Sequence, residues 1–188
     1  AVIPDRASFG DVVVRRWEVE DGEALRDAIV AASDHLGPRM SWVGEWSAED
    51  CDPAGTVRRW NRTWEEGGDL VAAITVDGAL AGSTGLHWRI GPRGLEIGYY
   101  LFPGWTGRGI ATIAAGLCTD LAFALPQIDV VRIVHDVSNA PSEGIPRRLG
   151  YTLIGDVPST RDQAPADVGV DRIWEMRRAD WPGYASLA

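Results

Sequence analysis

The clearest chemical signal is the run Thr106-Gly107-Arg108-Gly109-Ile110-Ala111, which opens a long apolar stretch. Glycines at a helix start let successive backbone N–H groups turn toward one anion, and the helix dipole adds favourable potential at the same place. Arg108 can supply a charged fork for phosphate oxygens. Two familiar phosphate loops do not fit. The triphosphate loop ends in Gly-Lys-Ser/Thr, which is absent here. The dinucleotide fingerprint needs a third glycine where Thr112 stands, and an acidic residue closing the next strand, whereas Asp129 precedes that strand.

Other reactive side chains are scattered. Glu96 falls inside the strand-like stretch just before the glycine run, and Glu175 inside the last one. A carboxylate in a pocket can both take a proton and attract a cationic substrate. His35 and His87 read as surface or structural residues, and His135, beside Asp136, reads as a sheet hydrogen-bonding residue. No His/Cys/Asp grouping has metal-ligand spacing, so no metal is expected. Cys51 and Cys118 lack redox or metal spacing, and Cys118 sits in an apolar helical stretch as a core residue.

The elements that must position these groups follow from periodicity. Residues 11–17 read as a strand, and 21–36 as a helix with Leu25, Ile29, Val30 and Leu36 on one face. Residues 53–66 form a helix with Pro53 near its start. DLVAAITV and ALAGSTGLHWRI flank Asp77-Gly78, a two-residue hairpin turn. Residues 94–102 are a strand in which Gly98 marks a bulge or a close backbone approach. After the glycine run come a long helix, the strand VVRIVHDV, a short helix started by Ser138 or Asn139 and stopped by Gly150, the strand YTLIGDV, a polar loop over 158–169 and the strand VDRIWEMR. This order predicts an α/β chain, a mixed α+β sheet of about seven strands with helices on its faces.

With 188 residues and 45% hydrophobic content, residues 1–188 make one domain. No apolar run approaches the roughly 20 residues of a membrane span, and the N-terminus lacks a signal-peptide pattern, so no membrane partner and a cytoplasmic setting are expected. The net charge of −9 argues against nucleic acid and suits a cationic acceptor. Trp42, Trp46, Trp60 and Trp64 crowd one stretch, packing the early helices and leaving Trp42 to wall a pocket.

The stretch from Glu96 to Tyr151 resembles the core of the GNAT acyltransferases. Gly109 and Ala111 match that superfamily's Arg/Gln-x-x-Gly-x-Gly/Ala loop, with Thr106 where Arg or Gln is usual. Asn139-Ala-Pro-Ser142-Glu-Gly-Ile145-Pro146-Arg-Arg148-Leu149-Gly150-Tyr151 is similar to the Asn-x-x-Ser-x-x-Ile-Pro-x-Arg-Leu-Gly-Phe/Tyr run of its Rim-type branch, which includes enzymes acetylating ribosomal-protein N-termini. Ala28-Ile29, Ser33, His35, Leu36 and Trp42 upstream, and Asp171, Trp174, Asp180 and Trp181 downstream, extend the resemblance over about the whole chain.

The resemblance implies a GNAT fold with a mixed, mostly antiparallel sheet, acetyl-CoA as donor and no metal. It implies direct transfer of an acyl group to a primary amine, either a small molecule or a protein N-terminus. Oligomeric state, including a homodimer, stays open. A CoA-binding module without catalysis and a nucleotide-binding protein are the rival readings. Direct transfer needs removal of a proton from the amine, stabilisation of the carbonyl oxygen and a donor for the thiolate. By resemblance Glu96 takes the proton, with Glu175 as competitor or acceptor contact. Ser142 meets the sulfur, because the family's usual tyrosine position holds Pro146. Asn139 and the backbone of Tyr99, Tyr100 and Leu101 hold the pantetheine arm, with an N–H near Tyr100 facing the oxyanion. Residues 106–111 bind the pyrophosphate, and Trp42 contacts the acceptor.

Overall fold

The computed structural model describes residues 1–188. Eight strands form one sheet: β1 (Arg6–Phe9), β2 (Val12–Arg16), β3 (Leu70–Val76), β4 (Ala79–His87), β5 (Gly94–Leu101), β6 (Val130–Asp136), β7 (Thr152–Pro158) and β8 (Val170–Arg177). Their spatial order is β1-β2-β3-β4-β5-β6-β8-β7. Only β5 and β6 are parallel. The mixed sheet is as expected, with one strand more. That strand is β1, four residues without alternation, recruited through a tight turn at Gly10 (φ 59°) to pair with β2.

The helices are α1 (Gly22–Ala31), α2 (Ser33–Leu36), α3 (Pro53–Glu65), α4 (Ile110–Phe123) and α5 (Ala140–Arg148). The single helix expected over 21–36 is divided at Ala32, whose φ −97° and ψ 11° leave the helical region. Asp52 caps α3 by accepting from the Gly55 N–H, and Pro53 fills the first turn, where its missing N–H costs nothing. Asp77 (φ 49°) and Gly78 (φ 79°) make the hairpin turn, both left-handed.

The sheet divides the interior in two. On one face α4, apolar around most of its circumference, packs with Leu86, Leu95, Ile97, Val131 and Ile133. On the other, α1, α3 and the tryptophan segment pack around Trp17, Leu25, Ile29, Trp46 and Val57. The C-terminal segment closes over α4. Asp120 accepts from the Trp181 indole (2.7 Å) and the Tyr184 N–H (3.1 Å), and a side chain at Gly116 would collide with the Tyr184 ring.

Candidate active site

The parallel ladder between β5 and β6 runs only from Gly94–Val130 to Ile97–Ile133. Beyond it β5 continues to Leu101 and β6 to Asp136, no longer paired with each other. The parity of β5 follows from its neighbours. Phe102 N–H donates to the Ala81 carbonyl on the β4 side, while the Arg93 carbonyl accepts from Asp129 and Val130 on the β6 side. With the two-residue alternation of a strand, the backbone groups of Gly98 and Tyr100 face β4, and those of Tyr99 and Leu101 face the gap. Gly98 lies where the two strands part and carries no register shift of its own.

This corrects one expectation. The Tyr100 N–H belongs to the β4 ladder, so the donors that open on the gap are those of Tyr99 and Leu101. The Tyr100 side chain points the other way, toward the α1–α3 side, and its ring lies 5.3 Å from that of Trp42. Burial drives the phenols of Tyr99 and Tyr100 well above the ordinary tyrosine range, so both stay protonated.

A cleft of about 1320 Å³ spans this gap. Glu96, Tyr99, Tyr100, Asn139, Ser142 and Trp42 all line it. Trp46 and Trp60, ring centroids 6.0 Å apart, back the Trp42 wall, whereas Trp64 packs by the N-terminal segment, its indole donating to the Ile3 carbonyl (2.7 Å). Asn139 occupies the cap position of α5 but makes no side-chain cap bond. The Ser138 hydroxyl instead donates to Asp136 and lies 3.0 Å from the Ala166 carbonyl. The Ser142 carbonyl accepts from the Tyr99 hydroxyl (3.4 Å), while the Ser142 hydroxyl has no partner within the chain.

Charged residues cross the sheet in a row, and His87, Glu96 and Arg132 among them line the cleft. His87, Glu96, Arg132 and Glu175 are register partners across β4, β5, β6 and β8, and so share one face of the sheet. Glu96 is 7% exposed and accepts from Arg89 at 2.8 Å. Glu175 is bound twice by Arg132, at 3.1 and 2.5 Å, and does not line the cleft. The structure gives the acceptor contact expected of Glu175 no support: Arg132 holds its carboxylate, and it does not reach the cleft lining.

The far wall is the loop between β7 and β8. It is tied down by Asp136, which accepts from the N–H groups of Ser138, Val168 and Gly169. Burial works to raise the Asp136 pKa, but these hydrogen bonds and the Ser138 hydroxyl outweigh it and hold the carboxyl at about 2. Arg39 closes the same corner by donating to the Ser138 carbonyl (3.0 Å) and the Ala166 carbonyl (3.3 Å). His135 is structural as expected. Its Nε2 accepts from the Trp174 indole (3.1 Å), which leaves Nδ1 to donate to the Asp136 carbonyl (2.9 Å).

The glycine run lies outside this cleft, at the start of α4. Gly107 (φ 73°) and Gly109 (φ 76°) are left-handed, with open space where a Cβ would stand. The first-turn N–H groups of Ile110, Ala111 and Thr112 precede the first α-helical bond, from Ile113 to the Gly109 carbonyl. Arg108 stacks on Trp105 at 4.8 Å, and Arg148 reaches the Thr112 hydroxyl at 3.2 Å. Thr106 is exposed and adds no contact of its own. Glu143 and Gly144, at the two unspecified positions between Ser142 and Ile145 of the Rim-type run, both bear on nearby arginines. Glu143 pairs with Arg147 and Arg172, and a side chain at 144 would press on the Arg148 guanidinium. The residues sequence reasoning missed are arginines, Arg39, Arg89 and Arg161. They come from loops or turn segments and carry no pattern that marks them.

Comparison with known proteins agrees with this geometry. The family model described as Acetyltransferase (GNAT) domain matches residues 11–152. The Bacillus subtilis (strain 168) protein YdaF, whose name assigns it provisionally as a ribosomal N-acetyltransferase, is 28% identical over 141 residues, covering 74% of this chain and 77% of its own. Among solved structures, the ribosomal L7/L12 alpha-N-protein acetyltransferase RimL in complex with coenzyme A has a TM-score of 0.80 at 18% identity, covering 94% of this chain and 98% of its own. Mycobacterium smegmatis RimJ in complex with CoA-disulfide also has a TM-score of 0.80, at 20% identity, covering 95% and 88%. The microcin C7 self-immunity acetyltransferase MccE, in complex with acetyl-CoA and AMP, has a TM-score of 0.79 at 18% identity, covering 89% and 92%. At these identities the structural likeness is one of fold.

Proposed function

The chain belongs to the GNAT acetyltransferase family, and from that premise we propose that residues 1–188 work as one domain that acetylates the α-amine of a polypeptide N-terminus. Acetyl-CoA is the donor, and the amine attacks it directly while both are bound. The observation that carries the reading is the unpaired gap between β5 and β6, with Tyr99 and Leu101 presenting backbone groups on one side and Asn139 and Ser142 standing at the start of α5.

An extended pantetheine arm pairs with β5 as an added strand would. Residues 106–111 meet the pyrophosphate with helix-start N–H groups, and Arg108 adds charge. The Tyr99 or Leu101 N–H faces the thioester oxygen as negative charge builds there. Glu96 takes the proton that the amine must lose, directly or through water. The Ser142 hydroxyl donates to the departing sulfur.

The acceptor side favours an amine whose neighbouring carboxyl is blocked, as in a peptide. Eight carboxylates and five arginines line the cleft, so it is net negative with its histidines neutral. Arg39, Arg89, Arg132 and Arg161 are each within ion-pair distance of a carboxylate, leaving only Arg59, exposed on α3, to meet a free α-carboxylate. The name of YdaF points to the same acceptor class. Release of CoA from acetyl-CoA, measured with free-N-terminus peptides, the same peptides N-blocked, amino acids, polyamines and amino sugars, tests this. Turnover should follow the free N-terminus. Turnover confined to non-peptide amines would refute the acceptor, and CoA binding without turnover on any amine would refute the activity.

A further inference from the structure

Glu96 is faced by cationic or protonatable groups from every element around it. His87 on β4 and Arg132 on β6 flank it in register, and Arg89 reaches it from the loop after β4. Arg161, from the loop between β7 and β8, lies close enough for its charge to feel that of Glu96. Three of these four have a carboxylate of their own. His87 Nδ1 is 2.8 Å from Asp69, Arg132 holds Glu175, and Arg161 grips Asp171 through two contacts of 3.0 and 2.5 Å. Arg89 pairs with Glu96 alone. The contact is made by one carboxylate oxygen, Oε1. The other, Oε2, has no protein partner and is not sealed from the cleft, since the one buried polar side-chain atom without a partner is Asn61 Oδ1.

We propose that Arg89 is a positioning residue for acyl transfer: by holding Oε1 it turns Oε2 of Glu96 toward the incoming amine. This rests on the reading of Glu96 as proton acceptor. The geometry gives the two oxygens separate tasks. A carboxylate on a strand can rotate about its last bond, and an anchor on one oxygen removes that freedom. Losing the anchor frees the carboxylate to turn away from the amine, so kcat should fall by about tenfold while KM for acetyl-CoA stays near the wild-type value.

The test is kcat and KM, measured separately for acceptor peptide and acetyl-CoA, for the wild type, Arg89→Gln, Arg89→Lys, Glu96→Gln and the Arg89→Gln/Glu96→Gln double variant. In Arg89→Gln kcat should fall by about tenfold with KM for acetyl-CoA nearly unchanged, and Arg89→Lys should restore most of it. In the Glu96→Gln background, removing Arg89 should change the rate by less than about twofold, because residues acting as a unit are not additive. If Glu96→Gln is impaired but folded Arg89→Gln keeps the wild-type kcat, the positioning role is overturned and the base reading stands. A multiplied loss in the double variant overturns it too, by showing that Arg89 acts on the acceptor itself. A near-wild-type Glu96→Gln protein overturns both.

Discussion

Ile97 and Ile133 are the last partners of the one parallel ladder in the sheet, and past them the two strands part around an open edge. Both side chains are buried beneath α4, at 2% and 1% exposure, so the point of separation is fixed by the core and not by loop mobility. The split therefore exists before any ligand arrives.

Amide hydrogen exchange reads this directly. Without ligand, the Tyr99 and Leu101 amides should exchange faster than that of Tyr100, which belongs to the ladder with β4. Adding CoA should protect Tyr99 and Leu101 and leave Tyr100 almost unchanged, since only the first two face the added strand. Equal protection of all three before CoA would mean that the gap is closed in solution.

The start of α4 makes a second prediction. Gly109→Val should disrupt CoA binding, but with φ at 76° the substitution strains the backbone as well as filling the anion site. Arg108→Ala is cleaner, because the side chain is exposed and only stacks on Trp105. It should weaken CoA by about tenfold, the value of one partly screened charge-assisted contact. Binding of pantetheine, which lacks the pyrophosphate, should not change. Calorimetry with both ligands decides it, and equal losses for the two would remove Arg108 from the phosphate site.

Patterns with a short period were legible in the sequence. The Asp77-Gly78 hairpin, α3 with its proline start and β8 over 170–177 all follow from local turn chemistry and alternation. The six residues Glu96, Tyr99, Tyr100, Asn139, Ser142 and Trp42 were also foreseen, and they converge on one cleft. What stayed hidden depends on partners distant in the chain. β1 has too few residues to show a period and exists because β2 offers it an edge. Glu175 looks like Glu96 in sequence, each an acid inside a strand, and only the sheet order reveals that Arg132 claims it. The backbone parity that exchanges Tyr100 for its two neighbours needs the ladder register, which no composition encodes.

Asp136 carries a prediction about stability and pH. Its folded pKa of about 2 lies below the ordinary value of 3.8, so its ionised form is favoured by folding. The contribution is complete above the unfolded value and fades as pH falls through 3.8 toward 2. Asp136→Asn should cost roughly 1–3 kcal/mol at pH 7, as expected for hydrogen bonds to a charged acceptor. The gap between variant and wild type should narrow as pH is lowered toward the folded pKa. Urea unfolding at pH 7 and at about pH 3 measures it. The variant should also raise KM for the acceptor, since the loop between β7 and β8 is anchored on this carboxylate. A stability difference that does not change with pH would show that packing, not the charge, is what Asp136 supplies.

Ser142 gives the sharpest test of how sulfur leaves. Its hydroxyl has no partner within the chain, so removing it breaks no hydrogen bond in the free protein, and Ser142→Ala should melt at nearly the wild-type temperature. Acetyl-CoA binding should also change little, because a hydroxyl beside a neutral thioester sulfur gains little until negative charge develops there. The chemical step should slow by about tenfold. That is less than a full general acid would command, because a thiolate leaves readily and water can enter the open cleft to replace the hydroxyl. Single-turnover rates and thermal melts on the same variant separate the two roles. A slower step with an unchanged melt supports donation to sulfur. A lower melting temperature with an unchanged rate would make Ser142 a structural residue of the α5 first turn. The Tyr99 hydroxyl, which burial keeps protonated and which donates to the Ser142 carbonyl, would then be the next donor to test.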